Sequence, residues 1–368
     1  MKTENNYNNI YTDSIYISGD ENIQGSRNYT IKLANAADLN LVKTFECGQC
    51  FRWNRVDASA SKMEPGTLSA AEGTGTAAEN TGGGSAPTHI SSTIIYKGIA
   101  GDYPAVILEK DGQVYVSSAA SLGFWRSYFD LDTDYSAANE RFEQIPWLDR
   151  CTRYGKGIRI LRQDPWEALC SFIISQCNNI PRIKGIIERL CEMYGEKVEI
   201  PVSGRINAAG ESLIGKCGLE KSAAAEPCGY EKPTARKSCG FSYKFPKPEA
   251  LAELTPDDLA PLRSGYRAPY IIGAARAVCD GSLDLDALTK TDFETAKKTL
   301  KSLNGIGDKV ANCAVLFGLH HMEAFPVDVW IKKSLKEHFP PDFDPASLGP
   351  MAGLAQQYLF YYEREGTP

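Results

Sequence analysis

The chain has 368 residues, a formal net charge of −6, 43% hydrophobic residues and 11 cysteines. That length allows two or three cores. No apolar window approaches the roughly 20 residues of a membrane-spanning helix, and the Asn-rich start, Met1 to Ile10, does not read as a secretory signal. An odd count of irregularly spaced cysteines reads as free thiols in a reducing compartment. The acidic balance argues mildly against nucleic acid, although Lys and Arg outnumber Asp and Glu over 151–200 and 261–340, which leaves room for a local basic face.

Residues 1–28 read as an N-terminal tail. Alternation of apolar and polar side chains then marks a strand at Tyr29 to Leu33, and further strands follow at Thr93 to Tyr96, Ala105 to Leu108 and Gln113 to Val116, the last after the turn Asp111-Gly112. The spacing predicts an antiparallel meander within a domain of residues 29–135, interrupted at 58–92 by an Ala/Gly/Ser/Thr-rich stretch with the composition of a flexible insertion.

From Asp164 the period becomes helical. Trp166, Leu169, Cys170 and Ile173 fall on one face of a helix that is apolar nearly all round. After Cys177-Asn178-Asn179, Pro181 opens a second helix carrying Ile183, Ile186, Ile187, Leu190 and Tyr194, and Tyr270 to Val278 forms a third. Between them, 203–242 holds a weak repeat around Cys217, Cys228 and Cys239. Lacking closely paired ligands, it reads as a duplicated linker rather than a zinc site. Two further helices bracket a glycine hairpin over about 291–318. The first would start with a capping box at Thr291 to Glu294 and the second with Asp308 as cap. Leu354 to Tyr362 has the pattern of a plain amphipathic helix end. The fold class is therefore α+β: an N-terminal antiparallel β-sheet domain followed by an all-α body over 136–368.

The chemistry-bearing residues gather at the hairpin. Gly305 and Gly307 permit a tight positive-φ turn that exposes backbone N–H groups, and at a helix N-terminus such groups suit a phosphate. Lys309 would sit in the first turn of the second helix, where the dipole disfavours an ammonium and favours the free amine a nucleophile needs; Cys313 lies one turn on, along the same face. Asp328, before the apolar run from Val329, suits an N-cap, and a carboxylate held by a cap can also stabilise positive charge developing on a sugar.

Several motifs in order resemble one known family. Asp164-Pro165-Trp166-Glu167, Ser175 to Ile180, Gly265-Tyr266-Arg267-Ala268-Pro269-Tyr270, the Gly-x-Gly hairpin with Lys309, and Pro326-Val327-Asp328-Val329 are similar to the 8-oxoguanine DNA glycosylases of the helix-hairpin-helix superfamily. So is Gly48-Gln49-Cys50-Phe51-Arg52-Trp53, with Cys50 in place of the family's Ser; the match runs over about 30–362 outside the two insertions. The resemblance implies a bifunctional glycosylase and AP lyase in base excision repair, with Lys309 as nucleophile and Asp328 as supporting carboxylate. It places the base between Cys313 and Phe360, with the Gly48 carbonyl accepting from N7–H and Gln356 reading the Watson–Crick edge. It puts Asn178, Asn179, Arg182, Tyr266, Arg267, Gly305 and Gly307 against DNA: Arg182 and Arg267 at the orphaned cytosine, Tyr266 as a wedge. Cys177 departs from the family's asparagine at that cytosine, and Trp330 from its histidine near a phosphate. The partner implied is double-stranded DNA containing oxidised guanine. No cofactor, metal or membrane is implied, and the protein would act as a monomer, in the cytoplasm of a bacterium or the nucleus of a eukaryote. Two alternatives stand beside this: a related glycosylase for another damaged base, and a non-catalytic DNA-binding helix-hairpin-helix protein. Iron–sulfur relatives fit poorly, because no cysteine follows Cys313.

Overall fold

The computed structural model describes residues 29–56, 93–201, 205–206, 212–213 and 241–366. The tail 1–28, the insertion 58–92 and the three repeat cysteines lie outside them. Five strands build the N-terminal sheet: β1 (Tyr29–Asn35), β2 (Asn54–Arg55), β3 (Ile94–Ala100), β4 (Tyr103–Lys110) and β5 (Gln113–Ser118). All neighbours are antiparallel, in the order β1-β5-β4-β3-β2. The expected meander is thus β3-β4-β5, and β1 closes the far side by pairing with β5, Ile31 opposite Val116. One sheet face is covered by two helices not foreseen from the strand-like pattern, α1 (Leu41–Glu46) and α2 (Leu122–Tyr128). Both are short and aromatic, so a 3.6-residue period never establishes itself in the sequence. Their Phe45 and Trp125 pack with Trp53, Tyr96 and Phe129 as a separate aromatic core, Phe45 stacked on Trp53 at 4.7 Å between centroids.

The helical body follows as α3 (Ser136–Phe142), α4 (Pro146–Gly155), α5 (Pro165–Ser175), α6 (Ile180–Tyr194), α7 (Pro248–Ala252), α8 (Ala268–Cys279), α9 (Leu285–Leu288), α10 (Phe293–Lys301), α11 (Asp308–Phe317), α12 (Val329–His338) and α13 (Ala352–Glu365). Asp164 caps α5 by accepting from the Glu167 amide at 2.8 Å, and every residue from Trp166 to Ser175 is buried. A helix buried all round in this way is a body's central strut. The sequence pattern predicts an amphipathic last helix, yet Ala352 to Leu359 are buried on every side because α13 runs through the centre against α4 and α12. Among the described residues no helix is long and apolar enough to cross a membrane, and no cluster of His, Cys, Asp and Glu is arranged as metal ligands.

Two caps differ from expectation. Asp292, not Thr291, caps α10, accepting from the Thr295 amide at 2.9 Å, while the Thr291 hydroxyl turns back to Leu288 O at 2.9 Å. A carboxylate both accepts and complements the positive helix end, so it takes the cap ahead of the neighbouring hydroxyl. Gly307 caps α11; Asp308 is already the first helical residue and pairs across the hairpin with Lys301 at 2.7 Å.

Candidate active site and DNA face

The motif Gly48 to Trp53 has a separate mechanical task at nearly every residue. Gln49 is fully buried: its amide nitrogen donates to Thr44 O and Arg159 O, both at 2.9 Å, and its carbonyl accepts from Leu161 N at 2.9 Å. Arg52 forms a buried ion pair with Glu167 of α5 at 3.1 Å and also donates to Tyr243 O. Trp53 enters the aromatic core, while its carbonyl accepts from Lys184 of α6 at 2.7 Å. This bracing presents Gly48, at φ +79°, to the helical body, where a Cβ would lie 3.0 Å from the Phe360 ring. A side chain there would be strained and would also fill the gap in front of Phe360.

That gap is a cavity of about 420 Å³. It receives Gly48 and Phe51 from the sheet side, Lys309 and Cys313 from α11, Asp328 at the start of α12, and Gln356 and Phe360 from α13. Residues far apart in sequence are thus brought to one hollow, including every catalytic and base-contacting candidate. Gln356 is 5% exposed, and its Oε1 has no hydrogen-bond partner. A buried unpaired acceptor costs about 1–3 kcal/mol, and in the cavity wall it is free to accept from a bound group. Its neighbour Gln357 instead donates to Cys47 O at 2.6 Å and holds the strap that carries Gly48.

Lys309 enters the cavity partly buried. Its Nζ lies 3.1 Å from Ser175 Oγ and 5.5 Å from the Phe172 ring centroid. Since the Ser175 hydroxyl donates to Phe172 O at 2.8 Å, its oxygen is left as acceptor for the lysine. This hydrogen bond holds the Lys309 Nζ at one place in the cavity. Cys313, one turn along, is pushed up in pKa mainly by burial, with Asp328 adding to the shift and Lys309 opposing it. It stays a thiol and offers a polarisable surface rather than a competing nucleophile. Asp328 caps α12, one carboxylate oxygen accepting from Trp330 N and Ile331 N at 3.0 and 2.9 Å. The cap fixes the carboxylate in the cavity lining through one oxygen and leaves its second oxygen out of the cap.

The remaining candidates are distributed around this hollow. Asn178 and Asn179 line its rim while serving as caps: Asn178 donates to Ile174 O at 3.2 Å, and Asn179 accepts from Arg182 N at 3.0 Å. Arg182 lies outside it, exposed on α6. Gly305 has φ +81°, and a Cβ there would collide with the Tyr270 ring. Gly307 departs from the expected double positive-φ turn: its φ is −90°, and its bare Cα leaves open space above the first amides of α11. Tyr266 is 51% exposed, within hydrogen-bonding reach of Cys177, and stacks on Arg267. Arg267 itself is buried, donating to Ser264 O at 3.0 Å and through Nε to Gln176 O at 2.9 Å. Gln176 in turn donates to Gly305 O at 3.2 Å, so the loop carrying Tyr266 and Arg267 and the hairpin form one braced unit. Sequence reasoning missed Phe172, Ser175, Phe51 and Arg364, which line the cavity.

This arrangement is that of a base-excision DNA repair protein, and comparison with known proteins agrees. Residues 170–347 match the model of the HhH-GPD superfamily base excision DNA repair proteins, and residues 32–169 match the N-terminal domain of 8-oxoguanine DNA glycosylase. The structure of MBOgg1 in complex with a low affinity DNA ligand superposes with a TM-score of 0.66 at 30% identity, covering 96% of this chain and 99% of that one. The Clostridium acetobutylicum 8-oxoguanine glycosylase/lyase bound to dsDNA containing cytosine opposite 8-oxoG gives 0.66 at 28% identity over 96% and 99%. The Saccharomyces cerevisiae N-glycosylase/DNA lyase is 28% identical over 273 residues, which span 67% of this chain and 62% of the yeast protein. The chain belongs to the 8-oxoguanine DNA glycosylase family.

Proposed function

We propose that the protein excises 8-oxoguanine from duplex DNA and then nicks the abasic strand, with Lys309 as nucleophile. The observation that carries this is a single cavity holding an oriented amine, a capped carboxylate and an unpaired buried amide acceptor. A flipped base stacks between the Cys313 sulfur and the Phe360 ring, its edge hydrogen-bonded by Gln356 and its N7–H donated to the Gly48 carbonyl. That N7–H donation selects the oxidised purine, because guanine carries no proton at N7. As the glycosidic bond lengthens, positive charge on the sugar faces Asp328. The Lys309 lone pair forms a bond to C1′ while the N9–C1′ electron pair leaves with the base, which takes up a proton. Ring opening gives a Schiff base; loss of a C2′ proton then expels the 3′ phosphate by β-elimination.

Borohydride reduction during reaction on an 8-oxoguanine duplex should leave a covalent protein–DNA adduct, absent for Lys309→Gln although that variant still binds lesion DNA. An undiminished adduct in the variant would overturn the assignment. A lesion panel including alkylated purines checks the substrate, since Gly48 confers no advantage on a base without N7–H.

A further inference from the structure

Beside the lesion cavity is a second concavity, of about 520 Å³, lined by Arg182, Arg189, Pro261 and Arg263. Arg182 and Arg189 lie two turns apart on one face of α6, and Arg263 reaches in from the loop that leads to Tyr266, at φ +57°. Arg189 is anchored, its Nη2 donating to Leu262 O at 2.7 Å. Arg182 and Arg263 are exposed. Among the described residues none of the three belongs to an ion pair. Partial burial, then Arg263, and less strongly Arg182, oppose the charge of Arg189, while Glu188 alone favours it. Three guanidiniums converging on one hollow without a carboxylate repel one another, and a phosphate relieves this with bidentate hydrogen bonds.

The first turn of α6 separates the two hollows. Asn179, Ile180, Pro181 and Ile183 line the lesion cavity, whereas Arg182 between them lines the basic one. A strand that delivers its base to Lys309 must pass on the cavity side of that turn, so the backbone reaching the other side is that of the complementary strand. We propose that Arg189 and Arg263 clamp a phosphate of the strand opposite the lesion, beside Arg182, which the resemblance gives to the orphaned cytosine of that same strand. This rests on the DNA-glycosylase reading, and Arg263, at a left-handed position, commits a strained residue to the clamp.

The test uses Arg263→Gln, which removes an exposed guanidinium that touches nothing in the lesion cavity. On undamaged duplex, affinity at fixed salt should fall about 3- to 10-fold. The slope of log affinity against log salt should shrink by about 0.9 for each phosphate that is no longer neutralised. Uncharged methylphosphonates placed singly along each strand should weaken the full-length protein at one or two positions opposite the lesion site, and those positions should cost Arg263→Gln nothing further. Single-turnover excision at saturating enzyme should be unchanged. An unchanged salt slope, or coupling that maps to the lesion strand, would overturn the clamp. Because the undamaged-duplex arm needs no excision, failure of the glycosylase reading would show separately, as loss of the borohydride adduct with the clamp intact.

Discussion

At the scale of single residues, the informative groups are those whose local cost has no local return. Gln356 buries an acceptor without a partner. Gln356→Leu keeps most of the volume and removes that acceptor, so stability should rise by about 1 kcal/mol while excision of the lesion falls about 10- to 100-fold. Thermal unfolding and single-turnover rates measure the two effects, and a loss of both stability and activity would show the amide to be structural. Cys177 sits at φ +47°, a region asparagine enters more readily than cysteine. Cys177→Asn should therefore fold at least as stably, and it supplies a full donor and acceptor where a thiol is weak in both. Excision opposite each of the four bases should then show a wider preference for cytosine by about 1–3 kcal/mol, with the rate opposite cytosine little changed. Lys309, Asp328 and Cys313 were legible because each is tied to a helix start or one turn of a single helix. Ser175, Phe172 and Arg364 were not, since the Ser175–Lys309 hydrogen bond spans 134 residues and no local pattern announces it.

At the scale of elements, strands were readable either as a run of apolar β-formers, as in β4 where Ala105 to Leu108 are all buried, or where one face is buried and the other is not. Val114 and Val116 alternate with half-exposed neighbours along β5, giving the period of two that marked it. β2, with only Asn54 and Arg55, is too short to carry any period, and α1 and α2 were hidden by the strand-like residues around them. Among the contacts that hold the Gly48 strap to the body is the Arg52–Glu167 pair, both ends buried, with burial raising the Glu167 pKa and Arg52 opposing that rise. Arg52→Met strands that carboxylate in the interior and should cost about 3–5 kcal/mol. Arg52→Met with Glu167→Gln leaves no uncompensated charge and should recover most of it. Denaturant titration of the two variants checks this, and equal losses would mean that packing, not charge, holds the strap.

At the scale of the whole molecule, the sheet domain and the helical body meet at Asp130, only 2% exposed. Its carboxylate accepts from Arg162 at 2.8 Å, Thr133 at 2.7 Å and Tyr135 at 2.8 Å, with His320 at 3.4 Å, while Arg159 donates to its backbone carbonyl. No sequence pattern signals this hub, because its partners come from the loops after α2, before α5 and after α11. Burial raises the Asp130 pKa, but the His320 hydrogen bond and charge, with Thr133 and Tyr135, more than reverse this and hold it far below the usual carboxylate range. The folded pKa lies below the unfolded value, near 3.9, so the unfolded chain binds the proton first. The stabilisation is therefore complete above about pH 5 and is lost progressively as pH falls through 4 toward the folded value. Asp130→Asn should be less stable by about 3 kcal/mol at pH 7, since Arg162 loses its counter-charge and the hydrogen bonds gathered on the carboxylate are weakened. Over the acid range the gap should narrow, because the unfolded wild-type chain takes up a proton at this carboxylate while the amide does not titrate. Urea unfolding of both proteins from pH 7 to pH 3 measures the difference directly. A gap that stays constant across that range would show that Asp130 holds the two parts together by hydrogen bonding and packing rather than by its charge.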